Sequence, residues 1–451
     1  MVSLASASAL LAAIASAALL PDHAAGFSAS SSSATAHRSS SLHLRSSSSS
    51  SSSSRRRMVE SSPLSSAEDL LSTAPVDDEC SSFDESIPAK EKEQLGSTDK
   101  ERLLYEALGK FVSGDDLDDY TFEPTSGGVN NVVYYVKKKK KEGDPSSSSS
   151  SSLLGVIRVY NNSNDDPKVA FEHGILERLA ALPRELSFGI PETMPSIHGN
   201  RFERLSGGAS ACLFKSIPGG LPKLSKVREI GSCAGELSSA MAEIDRSELP
   251  DICPNFPYWD IYEVHKAVTR ETFYEQLRSS QFDPWRESAN FVEDDLTEVM
   301  ERVSSYHGSL PWSFIHGDLH YDNILVDDDG VTGLLDFEFS SYDWRAMELA
   351  ICLSKYCSED DPYPYFERFV DGFAVLGDLN DKEIEAMSTL IRLRILSNVV
   401  YFVGRAMSGE DQMSTLTCRI DNYCQRLRWV KNNEDAIASL IREKFAANNK
   451  L

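Results

Sequence analysis

The sequence predicts an α+β fold in two lobes, a small antiparallel β-sheet followed by a larger, mainly helical region. Three observations carry this prediction. Short apolar runs separated by turn residues fill the chain from Tyr120 to Ile217, with a single helical pattern among them. Beyond Gly220, apolar residues recur at helical spacing, as in Leu224, Val227, Ile230, Ala234 and Leu237. One stretch interrupts that regime: SFIHGDLHYDNILVDDDGVTGLLDFEF, residues 313–339, alternates apolar runs with acids, an asparagine and two histidines.

Taken in order, the elements are these. KERLLYEALGKFV reads as a helix ended by Gly114, and YTFEPTSGGVNNVVYYV as two strands around a glycine turn. LLGVIRVYN is a third strand. Alternation along it puts Val156, Arg158 and Tyr160 on one face and Ile157 and Val159 on the other. DPKVAFEHGILERLAAL sets Phe171, Ile175, Leu179 and Leu182 at helical spacing. RFERLSGGASACLFKSIPGG is strand, turn, strand and a Pro-Gly linker. Residues 98–217 thus make a first lobe and 218–451 a second, with helices at Phe291 to His307 and through EIEAMSTLIRLRILSNVVYFVGRAM. Within 313–339, FI, ILV and GLL read as short strands.

Two segments differ in kind. Residues 1–60 begin with the apolar run LASASALLAAIASAALL, and no Asp or Glu occurs from His23 to Val59, where Ser and Arg abound. A signal-like run followed by a transit-like stretch resembles the two-part presequence of complex plastids, with a disordered tail as the alternative reading. A plastid location is expected on the first reading and a cytoplasmic one otherwise. Residues 61–97 are acidic and polar, a linker by composition. Inside the first lobe, residues 137–152 hold five lysines and a serine run, an enlarged hairpin tip that cannot bury apolar area.

The chain of 451 residues carries a formal net charge of −24. That balance argues against general nucleic-acid binding, which needs clustered Lys and Arg, and the lysine run reads as hairpin tip rather than as a nucleic-acid or membrane patch. Eight cysteines occur with no CxxC pair, so neither a zinc site nor a disulfide framework is expected. The expected partner is a small molecule, with no nucleic acid and no membrane in the mature form.

Phosphoryl transfer from ATP needs a carboxylate to orient the attacking hydroxyl and hard oxygen ligands for Mg²⁺. HGDLHYDN supplies Asp318 and, five residues on, Asn323; Asp336 of DFE follows thirteen residues later, beyond two strands. A lone D-x₄-N arises often by chance, but His-Gly-Asp, Asn, two strands and Asp-Phe-Glu in this order match the kinase catalytic and metal loops. The stretch resembles the aminoglycoside phosphotransferase and choline kinase superfamily, which has a protein-kinase-like fold, and the first lobe is similar in layout to its type II homoserine kinase branch. The resemblance covers roughly residues 100 to 430.

The resemblance implies a small-molecule kinase using ATP and Mg²⁺. It makes Asp318 the catalytic base and gives Asn323 and Asp336 the metal. His316 braces the loop or acts as a base, and His320 approaches the acceptor or packs. Glu338 supports metal or substrate, or packs, while Glu348 ties the loop to a helix. In the first lobe, Gly127, Gly128 and Asn130 or Asn131 would cover the phosphates. Kinases place a lysine on the third strand; here it is Arg158, with Glu172 as its expected partner. The backbone around Phe214, Ser216 and Ile217 would meet adenine.

Choline kinases continue with an aromatic-rich segment ending in Trp, suited to a quaternary ammonium. Here ELAICLSKYC lacks that Trp. A hydroxy amino acid or small amino alcohol, homoserine first, is the expected acceptor, with Arg345 and Asp343 as candidates for its carboxylate and amine; an internal ion pair is the other reading of Arg345. A choline or ethanolamine kinase, a pseudokinase binding module and a protein kinase are the alternatives. The last lacks room for an activation segment after DFE.

Overall fold

The computed structural model describes residues 97–450 except 115–116, 126–130, 140–151, 161–165, 223, 251–252 and 449. The presequence, nearly all of the acidic linker, and the glycine turn with Gly127, Gly128 and Asn130 lie outside the described residues.

The first lobe is an antiparallel sheet of β1 (Tyr120–Pro124), β2 (Val132–Lys138), β3 (Ser152–Val159), β4 (Thr193–Met194), β5 (Glu203–Arg204) and β6 (Ser210–Phe214). Its order is β1-β2-β3-β6-β4, with β5 also on β6. Helix α1 (Ser97–Leu108) closes one face, setting Leu104, Ala107 and Leu108 against Val136, Ile157, Val159 and Leu213. Tyr160, Cys212 and Phe214 belong instead to the main core, so the alternation expected along β3 holds. Helix α2 (Asp166–Ala180) buries Phe171, Ile175 and Leu179, while Leu182 lies past its end.

Two boundaries differ from expectation. Helix α1 stops at Leu108, because past Gly109 the chain closes with shorter turns, Lys110 N–H to the Ala107 carbonyl and Phe111 N–H to that of Leu108. The lysine insertion is narrower than 137–152, since Lys137 pairs with Leu153 and Lys138 with Ser152 in the β2–β3 ladder. Lys137 also bonds Glu123 across the sheet at 2.5 Å.

The second lobe contains α3 (Val227–Ala242), α4 (Arg270–Arg278), α5 (Arg286–Ser304), α6 (Met347–Tyr356), α7 (Tyr363–Leu376), α8 (Asp381–Met407), α9 (Met413–Thr417), α10 (Ile420–Asn432) and α11 (Glu434–Ala447). Helices α3 and α7 touch backbone to backbone. Side chains at Gly231 or Gly235 would run into the Phe369 and Phe373 carbonyls, and one at Gly372 into that of Arg228. Helix α8 is the axle of the lobe. It is long and apolar enough to cross a membrane, yet almost all of it is covered by protein.

The expected strands of 313–339 are β7 (Trp312–Ile315), β8 (Ile324–Val326) and β9 (Val331–Leu334), joined by β10 (Ser341–Trp344), which pairs antiparallel with β7. The β8–β9 hairpin also meets the chain around the first lobe. Gly189 exchanges backbone bonds with Thr332 and Leu334, and Gly220 with Val326. Residues 313–339 therefore sit against the hinge.

Candidate active site

Strand β7 ends at Ile315, and the next residue fixes the loop. His316 is fully buried; its Nδ1 accepts the Asp318 N–H at 3.3 Å and its Nε2–H donates to the Leu335 carbonyl at 2.9 Å. Burial pushes its pKa down to about 4, which keeps the ring neutral. Both nitrogens serve backbone, so His316 positions the loop and does not act as a base. Gly317 adopts φ 82°, and a Cβ there would strike the Phe339 carbonyl oxygen. Glu348 of α6 accepts the His316 N–H at 2.5 Å, as expected of a loop anchor. Its burial without a cation raises the carboxyl to about 7.

Asp318 projects from this loop, partly exposed. Burial raises its pKa, but His320, Lys355 and Arg394 outweigh burial and hold the carboxyl well below the usual range. Arg394 Nη2 lies 3.2 Å from Asp318 Oδ1. His320 Nδ1 accepts the Asp322 N–H at 3.3 Å, so Nε2 carries the proton, 3.4 Å from Asp318 Oδ2. His320 therefore lies beside the Asp318 carboxylate.

Asn323 donates its amide to the Asp318 carbonyl at 2.9 Å. That bond turns Oδ1, the atom able to ligate a metal, the other way. Asp336 takes φ 63°, a left-handed backbone. The Arg158 guanidinium reaches it with Nη2 at 2.9 Å, Glu338 at 2.7 Å with the same nitrogen, and Glu172 with Nη1 at 3.1 Å. Tyr160 donates to Glu172 at 3.0 Å and Asn131 to Glu338 at 3.0 Å. Burial raises the Glu172 and Glu338 carboxyls while Arg158 pulls the other way. The Arg158–Glu172 pair expected from the sequence is thus formed, and Arg158 also spans the two lobes.

Three carboxylates converging on one guanidinium leave the cluster short of positive charge, and its free donors are hard oxygens. These residues fit a divalent cation that takes one or two protein oxygens. Among the described residues no trio of His, Cys, Asp or Glu side chains could hold a metal alone, so phosphate and water oxygens would complete the shell.

Other expected residues are engaged elsewhere. Asp343 is fully buried in β10 and accepts the Tyr258 and Trp344 N–H groups at 2.7 and 2.6 Å; it folds the strand and cannot bind an amine. Arg345 is held by Glu383 at 2.6 Å and Asp378 at 2.9 Å, the internal ion pair rather than a carboxylate site. Phe214 is in β6, paired with both Val156 and Thr193, so its backbone is committed to the sheet. Ser216 and Ile217 follow in the hinge, where no described backbone bond uses them, and Ile217 rests on Gly189 and Gly333.

Sequence spacing missed four residues. Asn255 donates to the carbonyls of both Glu338 and Ser340, and Tyr258 donates to that of Gly317 at 2.6 Å, so the irregular segment CPNFPYWD ties the two functional loops together. Arg394 lies 5.4 Å over the Tyr258 ring, and Lys355 ends α6 beside the loop. The only available signal was charge inside otherwise apolar helices, Arg394 in α8 above all.

A sheet lobe that presents a cation to the carboxylates of a helical lobe, beside a braced Asp, defines a small-molecule kinase. The Phosphotransferase enzyme family (APH) matches residues 121–379, more than half of the chain, and the chain belongs to this family. It is 25% identical to the homoserine kinase of Agrobacterium fabrum over 246 residues, 52% of this chain and 69% of that protein. It is 21% identical to the homoserine kinase of Zymomonas mobilis over 246 residues, 52% and 70% of the two. Among solved structures it is similar to a microcompartment-associated aminopropanol kinase, with TM-score 0.53 and 16% identity over 75% of this chain and 98% of that one. It is also similar to the amicoumacin kinase hAmiN, with TM-score 0.52 and 14% identity over 77% and 96%. These likenesses show the protein-kinase-like fold. Membership of a kinase family implies a nucleotide and a divalent cation.

Proposed function

We propose that the protein transfers the terminal phosphoryl group of ATP, with Mg²⁺, to the hydroxyl of homoserine or a similar hydroxy amino acid or amino alcohol. The observation that carries this reading is the Asn323-to-Asp318 bond, which ties an amide whose oxygen could ligate a metal to the backbone of the candidate base. Asp318 accepts the acceptor hydroxyl and receives its proton as the new oxygen–phosphorus bond forms and ADP departs. A carboxylate held so far below its usual range is a weak base, which suits a loose transition state in which proton transfer is late and positioning dominates. Asn323 and Asp336 would hold the Mg²⁺, which neutralises phosphate charge when bound. Arg158, anchored by Glu172, would meet the phosphates from the first lobe, and the Ser216–Ile217 backbone would meet adenine. Homoserine as the named acceptor is supported by the homoserine kinases to which the chain is similar.

The test is ATP- and Mg²⁺-dependent phosphorylation of a panel containing homoserine, choline, ethanolamine, methylthioribose and hydroxylysine. Homoserine should be the best acceptor. Asp318→Asn should lower kcat by about 10²–10⁴ and leave nucleotide binding in place. Wild-type rates in that variant would refute the base assignment.

A further inference from the structure

The segment after Asp336 is held from both lobes. From the second lobe, Asn255 donates to the carbonyls of Glu338 and Ser340 at 2.8 and 2.9 Å, which fixes the backbone on either side of Phe339. From the first lobe come three groups on three separate elements. Asn131, which follows the glycine turn in the sequence and precedes β2, donates its amide to Glu338 Oε2 at 3.0 Å. Arg158 of β3 donates Nη2 to the same oxygen at 2.7 Å. Lys168, in the first turn of α2, lies 5.5 Å over the Phe339 ring. Donors 207 and 180 residues away in the chain thus meet on one oxygen of a buried carboxylate. Both belong to the set that the kinase reading puts against the phosphates. Each bond to the carboxylate is charge-assisted and directional, so Glu338 fixes where these two donors stand relative to Asp336, two residues away. Arg158 divides Nη2 between Asp336 Oδ1 and Glu338 Oε2, and without Glu338 that nitrogen is left to Asp336 alone.

We propose that Glu338 is a positioning residue that clasps the first lobe onto the second and so sets Asn131 and Arg158 at the depth where they meet the nucleotide phosphates. The proposal rests on the kinase reading above and deepens it. Glu338 acts through the two donors, so loosening the clasp falls on ATP and spares the acceptor.

The experiment reverses the donor and the acceptor of the Asn131–Glu338 contact in the full chain. Asn131→Asp sets a second carboxylate against Glu338 from the half-buried side. It should raise KM for ATP about 10-fold, with a smaller change in kcat and none in KM for the acceptor. Affinity for a non-hydrolysable ATP analogue, measured without acceptor, should fall by the same factor. Glu338→Gln alone keeps an oxygen for both donors but loses the charge, and should weaken ATP binding about 3-fold. Asn131→Asp combined with Glu338→Gln restores a donor facing an acceptor, so the double variant should bind ATP more tightly than Asn131→Asp, against the sum of the two single losses. Thermal melting establishes that each variant is folded. A double variant weaker than Asn131→Asp, or tighter ATP binding in Glu338→Gln alone, overturns the clasp and leaves the kinase standing. So does a lowered melting temperature or a lowered kcat with KM for ATP unchanged in both single variants. Failure of the unaltered protein to bind nucleotide overturns both readings.

Discussion

Gly317 stands between the brace and the base, and its backbone is the tightest constraint at the site. Its φ is 82°, and the Phe339 carbonyl occupies the space where a side chain would begin. Gly317→Ala should therefore cost about 2 kcal/mol or more in a urea titration. Because Phe339 follows Glu338 directly, the same change should depress activity more than stability. Asp318, Asn323 and Asp336 were legible in the sequence because a loop and one hairpin fix their chain separation. Asp343 and Arg345 were misassigned for the opposite reason. Asp343 is consumed by two backbone N–H groups, and Arg345 by carboxylates 33 and 38 residues further along. No local pattern encodes such partners. Arg394, 76 residues from Asp318, was invisible on the same ground.

Helix identity was legible wherever one apolar face ran for several turns, as in α3 and α8. What joins the helices was not. Fully buried Arg392 of α8 holds Asp295 of α5 with two nitrogens, at 2.5 and 3.1 Å, and reaches Glu298 and Glu434 at 3.2 and 2.9 Å; Lys431 of α10 closes the lattice on Glu298 at 2.5 Å. Three arginines in an apolar-looking helix give no hint that one of them bolts two other helices. Breaking a buried pair strands the remaining charge, so Arg392→Met should lose about 3–5 kcal/mol of unfolding free energy. Adding Asp295→Leu should recover part of that loss, since no buried carboxylate is then left alone. A double variant no more stable than Arg392→Met would show that the lattice, rather than the stranded Asp295, sets the cost.

At the scale of the whole molecule, stability should decline from mildly acidic to mildly alkaline pH. Asp343 and Glu348 are both fully buried, both accept backbone N–H groups, and neither has a cation in contact; burial pushes each up to about 7. A carboxyl with a raised folded-state pKa holds its proton more tightly in the native chain than in the unfolded one. Its contribution is present below the unfolded pKa near 4 and is lost as pH rises through 7. Asp318 and Glu298 run the other way, since their lowered values support the fold above pH 4 and fail only in stronger acid. His316 and His173, both pushed down to about 4 by burial, add stability as pH rises to 6.5 and offset the two carboxyls over that range. The fall is therefore concentrated between about pH 6.5 and 8 and is worth on the order of 1–2 kcal/mol, because one unit is about 1.4 kcal/mol. Glu348→Gln keeps an acceptor for the His316 N–H while removing the titration. Its urea midpoint should therefore fall less steeply between pH 5 and 8 than that of the unaltered protein. Because Glu348 braces the catalytic loop through His316, the variant should keep most of its activity, whereas Glu348→Ala, which leaves the N–H unsatisfied, should lose activity and stability together. Parallel midpoint curves for Glu348→Gln and the unaltered protein would mean that Glu348 does not titrate in this range.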